Sequence, residues 1–304
     1  MKKDIRSLLD LTAADFRLLM RRAVSLKEDR KRGSENRPLS GKTLGLVFEK
    51  ASTRTRISFE AAMAQLGGSS IFISPKDTQM ARAESVADTA RILSLYLDAV
   101  VLRTYSQAFL EEFADAASIP VINGLTDLYH PCQVLSDLMT VEEKKGPVQH
   151  LKIAWVGDGN NMSHSWINAA GVLGLNLTLA CPESYAPKSE VLDAAGKSGM
   201  GRIRVTGDPI EAVMDADVVN TDVWASMGQE SESKHRKNAF RNFTVDSRLM
   251  SHAKGDAIVM HCLPVHRGEE ITGEVLDGPQ SVIWDQAENK LHMHKAVLEA
   301  LIGS

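Results

Sequence analysis

Residues 43–68 read TLGLVFEKASTRTRISFEAAMAQLGG, and this stretch decides the class of fold. Its first part, Thr43–Phe48, is a short apolar run typical of a buried strand. The next part, Thr53–Leu66, carries apolar residues at helical spacing and ends at two glycines, which are a helix stop signal. A strand that leads into a helix is the beginning of a βαβ unit, so the stretch predicts a parallel sheet.

The same alternation of strand and helix continues along the chain and restarts after Gly146-Pro147. Further strands are predicted at Ile71–Ile73, Ala99–Leu102, Val121-Ile122, Lys152–Val156, Leu177–Ala180, Ile203–Val205, Asp217–Asn220, Ala257–Met260 and Val282–Trp284. Further helices are predicted at Ser85–Tyr96, Gln107–Ala117, Pro131–Lys144, Ser163–Leu173, Lys188–Lys197 and Glu288–Ile302. The sequence therefore predicts an α/β protein of two domains, each a parallel-sheet sandwich, with the active site in the cleft between them. The domains are residues 1–146 and 147–287, and residues 288–304 form a C-terminal helix that packs back on the first.

Composition excludes several classes of protein. The chain has 304 residues, with 35 Lys plus Arg against 39 Asp plus Glu, and no concentrated basic patch, so we expect no nucleic-acid partner. No apolar run approaches the roughly 18 residues of a membrane span, so we expect no membrane association. The three cysteines, Cys132, Cys181 and Cys262, are far apart, which argues against disulfides and a structural zinc site and favours a cytoplasmic location.

The turn after the first strand is a candidate phosphate site. Ser52 is suited to cap the following helix, so the N–H groups of Thr53, Arg54 and Thr55 would face outward at the positive end of the helix dipole. The guanidinium of Arg54 adds a fork that matches two phosphate oxygens. The alternative is an ordinary capped helix with surface arginines, and the motif alone does not separate the two interpretations.

Polar groups follow two further strands of the first half. Arg103 follows the strand that ends at Leu102, at the same sheet edge as Ser52. His130 precedes Pro131, which suits the first helical position, so His130 and Gln133 are expected to face the cleft. Each residue alone has a simpler explanation, as a solvated arginine or a helix cap. Three strand ends that all carry such groups favour a site for phosphate or acyl oxygens.

Two strand ends of the second half carry an acid and a thiol. Asp222 follows the strand near Val218-Val219, and Cys262 follows Ala257–Met260. Together they are suited to hold and deprotonate an amine. The alternatives are a loop cap for Asp222 and an inert buried thiol for Cys262.

The segment Val156–Met162 looks like a dinucleotide fingerprint, since it follows a strand and opens a helix. Met162 occupies the third glycine position, and Asp158 makes the turn polar where a pyrophosphate needs bare backbone. We therefore do not expect nucleotide binding, and we expect no metal or other cofactor.

Taken together, these motifs resemble the transcarbamylases, and within them the ornithine carbamoyltransferase family. The matching segments run in order along nearly the whole chain: Ser52–Arg56, Asp88–Arg91, Asp127–Pro131, Gly157–Asn161, Ser226–Gly228, His261–Pro264 and Ala287–Asn289. The first is shared across the superfamily, whereas Ser226–Gly228 and His261–Pro264 are specific to the ornithine branch. The aspartate branch differs at both places and is the weaker match.

The resemblance implies transfer of the carbamoyl group from carbamoyl phosphate to the δ-amine of L-ornithine, which gives L-citrulline and phosphate. The same site would serve arginine biosynthesis and the reverse, catabolic direction. The implied carbamoyl phosphate-binding residues are Ser52, Thr53, Arg54, Thr55, Gln79, Arg103, His130, Gln133, Cys262, Leu263 and Lys290. The implied ornithine-binding residues are Asn161, Asp222, Ser226 and Met227, and the implied catalytic residues are Arg54, Arg103, His130, Asp222 and Cys262.

The resemblance also assigns roles within these groups. Arg103, Thr55 and His130 would polarise the carbamoyl oxygen, while Gln133 and the Leu263 carbonyl would bind the carbamoyl nitrogen. Residues 1–146 would then bind carbamoyl phosphate and residues 147–287 ornithine. Lys290 departs from the family pattern, which has arginine there; lysine keeps the charge but loses the planar fork.

Family members are trimers or assemblies of trimers, so the resemblance also implies that Gln79 acts in a neighbouring subunit's site. The alternatives are a paralogous transcarbamylase that uses putrescine or an acylated ornithine, a noncatalytic binding protein with this fold, and a nucleotide-dependent oxidoreductase.

Overall fold

The computed structural model describes residues 4–34, 36–74, 84–197, 199–225 and 232–303. The chain divides into two compact units, one formed by Met1–Met139 with Glu288–Ser304 and the other by Thr140–Ala287. The passage between the units falls inside a helix that continues to Lys145, so it comes earlier than the Gly146-Pro147 pair at which the sequence predicts the boundary.

The first unit contains a four-stranded parallel sheet with helices between the strands. Its strands are β1 (Thr43–Phe48), β2 (Ser69–Ile73), β3 (Ala99–Arg103) and β4 (Val121–Leu125). Its helices are α1 (Ala13–Lys31), α2 (Thr53–Gln65), α3 (Val86–Tyr96), α4 (Gln107–Ala116) and α5 (Pro131–Lys145), the last of which runs into the second unit. The strand order is β2-β1-β3-β4, so the chain reverses its direction of winding between β1 and β3. Such a reversal opens a crevice at the carboxyl ends of the two strands.

The second unit contains a five-stranded parallel sheet. Its strands are β5 (Lys152–Val156), β6 (Asn176–Ala180), β7 (Arg202–Thr206), β8 (Val218–Thr221) and β9 (Ile258–His261). Its helices are α6 (Asn161–Leu173), α7 (Ser189–Gly196), α8 (Pro209–Val213), α9 (Ser233–Ala239), α10 (Ser247–Met250) and α11 (Gly273–Leu276). The order β7-β6-β5-β8-β9 places the corresponding reversal between β5 and β8. The fold class predicted from the sequence, two parallel-sheet α/β units, is confirmed.

Local sequence accounts for the elements that border the sites. All five residues of β3 are buried, as expected for a central strand of a parallel sheet. In α2 the buried residues Thr55, Phe59, Ala62 and Met63 share one face, which packs toward the core. Ser52 caps α2 and Asn160 caps α6, so each helix begins where a polar side chain satisfies its first N–H groups.

The predicted strand at Val282–Trp284 is wrong. Helix α12 (Ile283–Ile302) already begins there, before the predicted start at Glu288. The Val282 N–H donates to the Val259 carbonyl at 3.0 Å, and Ser281 forms an isolated parallel bridge with Val259. The triplet Val282–Trp284 has the β-branched and aromatic composition of a strand, but the chain pairs with the sheet through a single bridge at Ser281 and then enters α12.

Strand β4 is longer than predicted, because Asn123 and Gly124 belong to it rather than to a loop. A Cβ atom at Gly124 would lie 2.8 Å from the Val101 side chain and 3.1 Å from the Leu102 carbonyl oxygen. Glycine is therefore needed for the close approach of β4 to β3. The β3–β4 register shifts between Leu102 and Arg103, at the edge where the polar residues gather.

Candidate functional site

The first candidate site begins at the turn between β1 and α2. The Ser52 Oγ accepts a hydrogen bond from the Thr55 N–H at 3.2 Å, which confirms the predicted cap. The cap also uses the Thr55 N–H, which the sequence predicted to face a ligand. Thr53 and Arg54 are exposed, whereas Thr55 is buried. The turn therefore presents the positive end of the α2 dipole together with the exposed Arg54, which suits an anion.

Arg103 lies on the neighbouring strand, at the reversal between β1 and β3. It is the last residue of β3 rather than the first residue after it, and it pairs in register with Phe48. Its carbonyl accepts the Glu49 N–H at 2.8 Å, and its side chain is buried. This places a buried guanidinium at the sheet edge that carries the Ser52 turn.

Lys290 joins this edge from α12. Its Nζ donates to the Thr55 Oγ1 at 3.2 Å and to the Gln133 Oε1 at 2.8 Å. The Gln133 Nε2 in turn donates to the Asp137 Oδ1 at 2.8 Å. The structure thus brings together three predicted site residues from α2, α5 and α12, and adds Asp137, which the sequence prediction missed. Asp137 lies one helical turn after Gln133, so the i, i+4 spacing was a signal that could have found it.

His130 is buried immediately before α5. Burial lowers its pKa well below the usual value, and the nearby positive charges of Lys290 and Arg103 and the His294 ring lower it further. His130 is therefore neutral at physiological pH, so one ring nitrogen carries a proton that it can donate to a carbonyl oxygen. We refer to Arg103 and Lys290, the two positive charges beside His130, as the cationic cluster.

His294 is a buried neighbour of the cationic cluster that the sequence prediction missed. Its ring stacks on Phe59 with centroids 3.7 Å apart, and its Nδ1 lies 2.6 Å from the Ser58 Oγ. Burial, followed by the charge of Lys290, lowers its pKa well below the usual value. His294 stands one turn beyond Lys290 on α12, so these two residues fasten α12 to α2 through Thr55 and Ser58.

The second candidate site lies at the reversal between β5 and β8. The buried Asp222 follows β8 and accepts two hydrogen bonds, from the half-buried Cys262 Sγ at 3.2 Å and from the Asn160 Nδ2 at 2.9 Å. The acid and the thiol predicted from the sequence are therefore in direct contact. Asn160, not predicted as a site residue, orients the carboxylate, while the predicted Asn161 is its half-buried neighbour at the start of α6.

A buried ion pair supports this second site. The Arg236 Nη1 donates to the Asp158 Oδ2 at 2.8 Å and to the Trp224 carbonyl at 2.8 Å, while its Nε donates to the Glu232 Oε2 at 3.1 Å. Burial raises the pKa of Asp158 to about 6, against the opposing effect of Arg236, and the charge of Asp222 raises it further. Arg236 thus connects the turn after β5 to the segment after β8, and no motif in the sequence signals this role.

The turn after β5 is built for protein contacts rather than for a pyrophosphate. A Cβ atom at Gly159 would lie 2.4 Å from the Pro187 backbone nitrogen, so this glycine is needed for packing against the loop after β6. The Asn160 Oδ1 accepts the N–H groups of Met162 and Ser163 at 2.9 and 3.2 Å. These bonds use the N–H groups that would otherwise bind a phosphate at the start of α6.

A second buried pair holds the backbone beside Cys262. The His261 Nδ1 accepts the Leu263 N–H at 2.9 Å, so the His261 Nε2 carries the proton and donates to the Glu270 Oε1 at 3.1 Å. The hydrogen bond from the Leu263 N–H stabilises a left-handed backbone conformation at Leu263, with a φ of +60°, which residues other than glycine rarely adopt.

Among the residues that the structure describes, two groups of side chains have the spacing of metal ligands. The ligand atoms of Asp222, His261 and Cys262 lie within 4.8 Å of one another, as do those of a second set: His266, Glu269 and Glu270. Both ring nitrogens of His261 are already engaged, so it would have to break a hydrogen bond to bind a metal ion.

Three predicted site residues, Gln79, Ser226 and Met227, lie outside the described residues. Among the helices that the structure describes, none is both long enough and apolar enough to cross a lipid bilayer.

Comparison with known families matches the chain over most of its length. Residues 3–143 match the family model described as aspartate/ornithine carbamoyltransferase, carbamoyl-P binding domain. Residues 149–301 match the model described as aspartate/ornithine carbamoyltransferase, Asp/Orn binding domain.

Individual proteins give the same result. The chain is 58% identical over 302 residues to the ornithine carbamoyltransferase of Syntrophus aciditrophicus, covering 99% of this chain and 100% of the relative. It is 55% identical to that of Desulfotalea psychrophila, with both chains covered completely. Among solved structures, ornithine carbamoyltransferase from Pyrococcus furiosus superposes with a TM-score of 0.95 at 49% identity, covering 99% of this chain and 97% of that one. The enzyme from Burkholderia thailandensis gives a TM-score of 0.91 at 45% identity, with 99% of both chains covered.

Proposed function

Because the chain belongs to the aspartate/ornithine carbamoyltransferase family, we propose that it transfers the carbamoyl group of carbamoyl phosphate to the δ-amine of L-ornithine, giving L-citrulline and phosphate. The observation that carries the choice of ornithine is the contact of Cys262 with the buried Asp222. A buried carboxylate attracts a cationic amino acid and repels the side chain of aspartate.

We assign carbamoyl phosphate to the first unit. The α2 N-terminus, with Ser52, Thr53, Arg54 and Thr55, would hold the phosphate. The buried Arg103, the neutral His130 and Thr55 would donate to the carbamoyl oxygen, and Lys290 would add positive charge beside them. When the amine attacks, negative charge grows on this oxygen and then on the departing phosphate. Donors already in place stabilise that charge, and losing one such donor typically costs about 3 to 4 kcal/mol of barrier.

We assign ornithine to the second unit, with Asn161, Asp222, Ser226 and Met227 as its binding residues. An alkyl ammonium group has a pKa of about 10.4, so less than about one molecule in a thousand is the free base at neutral pH. Asp222 would hold the amino acid, and Asp222 beside Cys262 would accept the proton that the δ-ammonium group must release before it attacks. Cys262 and Leu263, whose N–H donates to the His261 ring, would also contact the carbamoyl group.

We further propose a homotrimer or an assembly of trimers, in which Gln79 acts in a neighbouring subunit's site. The first unit exposes large apolar side chains that a second copy would cover: Ile57, Ile71, Phe72, Ile92, Leu95 and Tyr96. The three cysteines carry thiols rather than disulfides, which fits a reducing cytoplasm, and the product fits arginine biosynthesis.

Steady-state formation of citrulline from carbamoyl phosphate and ornithine tests the activity, with putrescine and N-acetylornithine as competing acceptors. Arg54→Ala should retain the fold and lose at least about a hundredfold in turnover, since one donor at a developing charge is removed. Near-native turnover of this variant would refute the phosphate assignment. Preference for putrescine or N-acetylornithine would refute ornithine as the acceptor.

Subunit complementation tests the shared site. Arg54→Ala and Gln79→Ala proteins, each weakly active, should regain activity after subunit exchange, because some sites then combine an intact Arg54 with a partner's intact Gln79. Mass measurement in solution should give a multiple of three chains. Exchange without any regained activity would exclude the trans role of Gln79.

A further inference from the structure

The amide of Gln133 is held at both of its ends by charged groups. Its Oε1 accepts from the Lys290 Nζ at 2.8 Å, and its Nε2 donates to the Asp137 Oδ1 at 2.8 Å. Gln133, Asp137 and Lys290 are all buried, so solvent does not screen these contacts. The two neighbours together decide which end of the amide faces which way.

The opposite orientation of the amide is excluded by its partners. A flipped Gln133 would place its NH₂ group against the Lys290 ammonium, which can donate but cannot accept. It would also place its oxygen against the Asp137 carboxylate, which in its ionised form can accept but cannot donate. Both hydrogen bonds would be lost and replaced by repulsive contacts in a buried place. The amide oxygen is therefore fixed on the side of Lys290.

This orientation matters for the choice of substrate. An amide oxygen has two lone pairs, of which Lys290 uses one, so the second is open to an N–H donor. The NH₂ group of carbamoyl phosphate can donate to it, whereas the methyl group of acetyl phosphate cannot. A site built to bond a donor discriminates strongly against an analogue that lacks it.

We propose that Asp137 is a positioning residue that selects carbamoyl phosphate over acyl phosphates, by keeping the acceptor end of Gln133 toward the substrate. The proposal rests on the proposed function only in taking carbamoyl phosphate as the ligand of the first unit. Asp137 acts through Gln133 and needs no contact with the substrate. The family's arginine is replaced by Lys290 here, and this lysine holds the same amide from its other end.

The test is the selectivity between two phosphates, measured without an acceptor amine. Calorimetric titration of wild type and of Asp137→Asn with carbamoyl phosphate and with acetyl phosphate gives the ratio of the two dissociation constants. The side-chain amide introduced by Asp137→Asn offers both a donor and an acceptor, so only Lys290 still favours one orientation of Gln133, and the charge-assisted hydrogen bond at its Nε2 is lost. We expect the affinity for carbamoyl phosphate to fall about tenfold and the affinity for acetyl phosphate to change less than about twofold.

A charge-conserving exchange provides the rescue. In the double variant Asp137→Asn with Gln133→Glu, the new amide donates to the new carboxylate, whose other oxygen again accepts toward Lys290. This variant should recover most of the selectivity that Asp137→Asn loses. The double variant also keeps the proposal testable if the single variant does not fold.

Asp98→Asn is the matched control. Asp98 accepts from the Lys42 Nζ at 3.0 Å and from the Thr43 N–H at 2.8 Å, at the amino ends of β1 and β3, so it lies away from Gln133. Its selectivity should equal that of wild type. The proposal is overturned if Asp137→Asn weakens both phosphates equally, if it changes neither, or if the exchange recovers no selectivity. A wild-type protein that binds carbamoyl phosphate but makes no citrulline would overturn the proposed acceptor and leave this test unaffected.

Discussion

Replacing Arg236 by glutamine should destabilise the second unit in a manner that depends on pH. Arg236 neutralises the buried Asp158 and also donates to the Trp224 carbonyl. The variant retains the packing of most of the side chain but leaves the Asp158 carboxyl without its cation. The size of the effect follows from the pKa of that carboxyl.

Burial raises the pKa of Asp158 from 3.8 to about 6 in the intact protein, while Arg236 lowers it. When a carboxyl has a higher pKa in the folded state, the free energy of unfolding of the protein falls as pH rises from the unfolded pKa to the folded pKa. In wild type this loss ends near pH 6. Without Arg236 the folded pKa rises further, so the loss continues above pH 6 at about 1.4 kcal/mol per pH unit.

A part of the effect that is independent of pH comes from the Trp224 carbonyl, which loses a buried charged donor worth about 1.5 to 3 kcal/mol. The predicted deficit in unfolding free energy is therefore about 1.5 to 3 kcal/mol at pH 5 and about 3 to 4.5 kcal/mol at pH 7. The second value agrees with the usual cost of breaking a buried ion pair, about 3 to 5 kcal/mol.

Urea denaturation followed by tryptophan fluorescence measures this deficit between pH 5 and 8. All four tryptophans, Trp155, Trp166, Trp224 and Trp284, belong to the second unit, so the signal reports on that unit. The control is Arg204→Gln, which breaks the exposed pair with Glu211 in the same unit and should cost less than about 1 kcal/mol at any pH. An Arg236→Gln deficit that is constant from pH 5 to 8, or no larger than that of the control, would refute the reasoning.

Three further predictions concern the sites themselves. Lys290→Arg should change the KM for carbamoyl phosphate at least about threefold and leave the KM for ornithine unaffected, because a planar fork replaces a point charge. Equal kinetics of the two proteins would show that the exchange of lysine for arginine does not matter for binding. Cys262→Ala should lower kcat/KM for ornithine about five- to tenfold, the worth of one hydrogen bond to the Asp222 carboxylate, while Cys262→Ser, which keeps a donor, should lower it less; equal losses in both variants would contradict this. Since the pKa values of His130 and His294 are lowered in the folded state, stability should fall as pH falls below about 6.5, and His294→Gln should reduce that slope by about 1.4 kcal/mol per pH unit in chemical denaturation; an unchanged slope would mean that His294 takes up its proton in the folded protein.

Much of the site could be read from local sequence. The Ser52 cap, the strand β1 and the helix α2 depend on residues that are close in the chain, and the structure confirms them. The contact of Asp222 with Cys262 was also predictable, since both follow strands of one parallel sheet and the carboxyl ends of such strands share an edge.

The differences arise where a local signal competes with a tertiary contact. The triplet Val282–Trp284 has strand composition, yet the chain leaves the sheet after a single bridge at Ser281. Gly124 reads as a turn residue, yet it serves the close packing of β4 on β3. In both cases propensity is a weak preference that a neighbour in space overrides.

The sequence by itself determined the parallel α/β class, the strands β1–β9, the capped turn that suits a phosphate, and the strand ends at which the candidate site residues lie. Hydrophobic period and capping residues are local properties, so they can be read without a structure. Only the tertiary structure decided that Lys290 contacts Thr55 and Gln133, 235 and 157 residues away, and that Arg236 pairs with Asp158 at a separation of 78 residues. Periodicity shows which face of a helix is buried, but not which distant side chain meets it, and these distant contacts orient the candidate site residues.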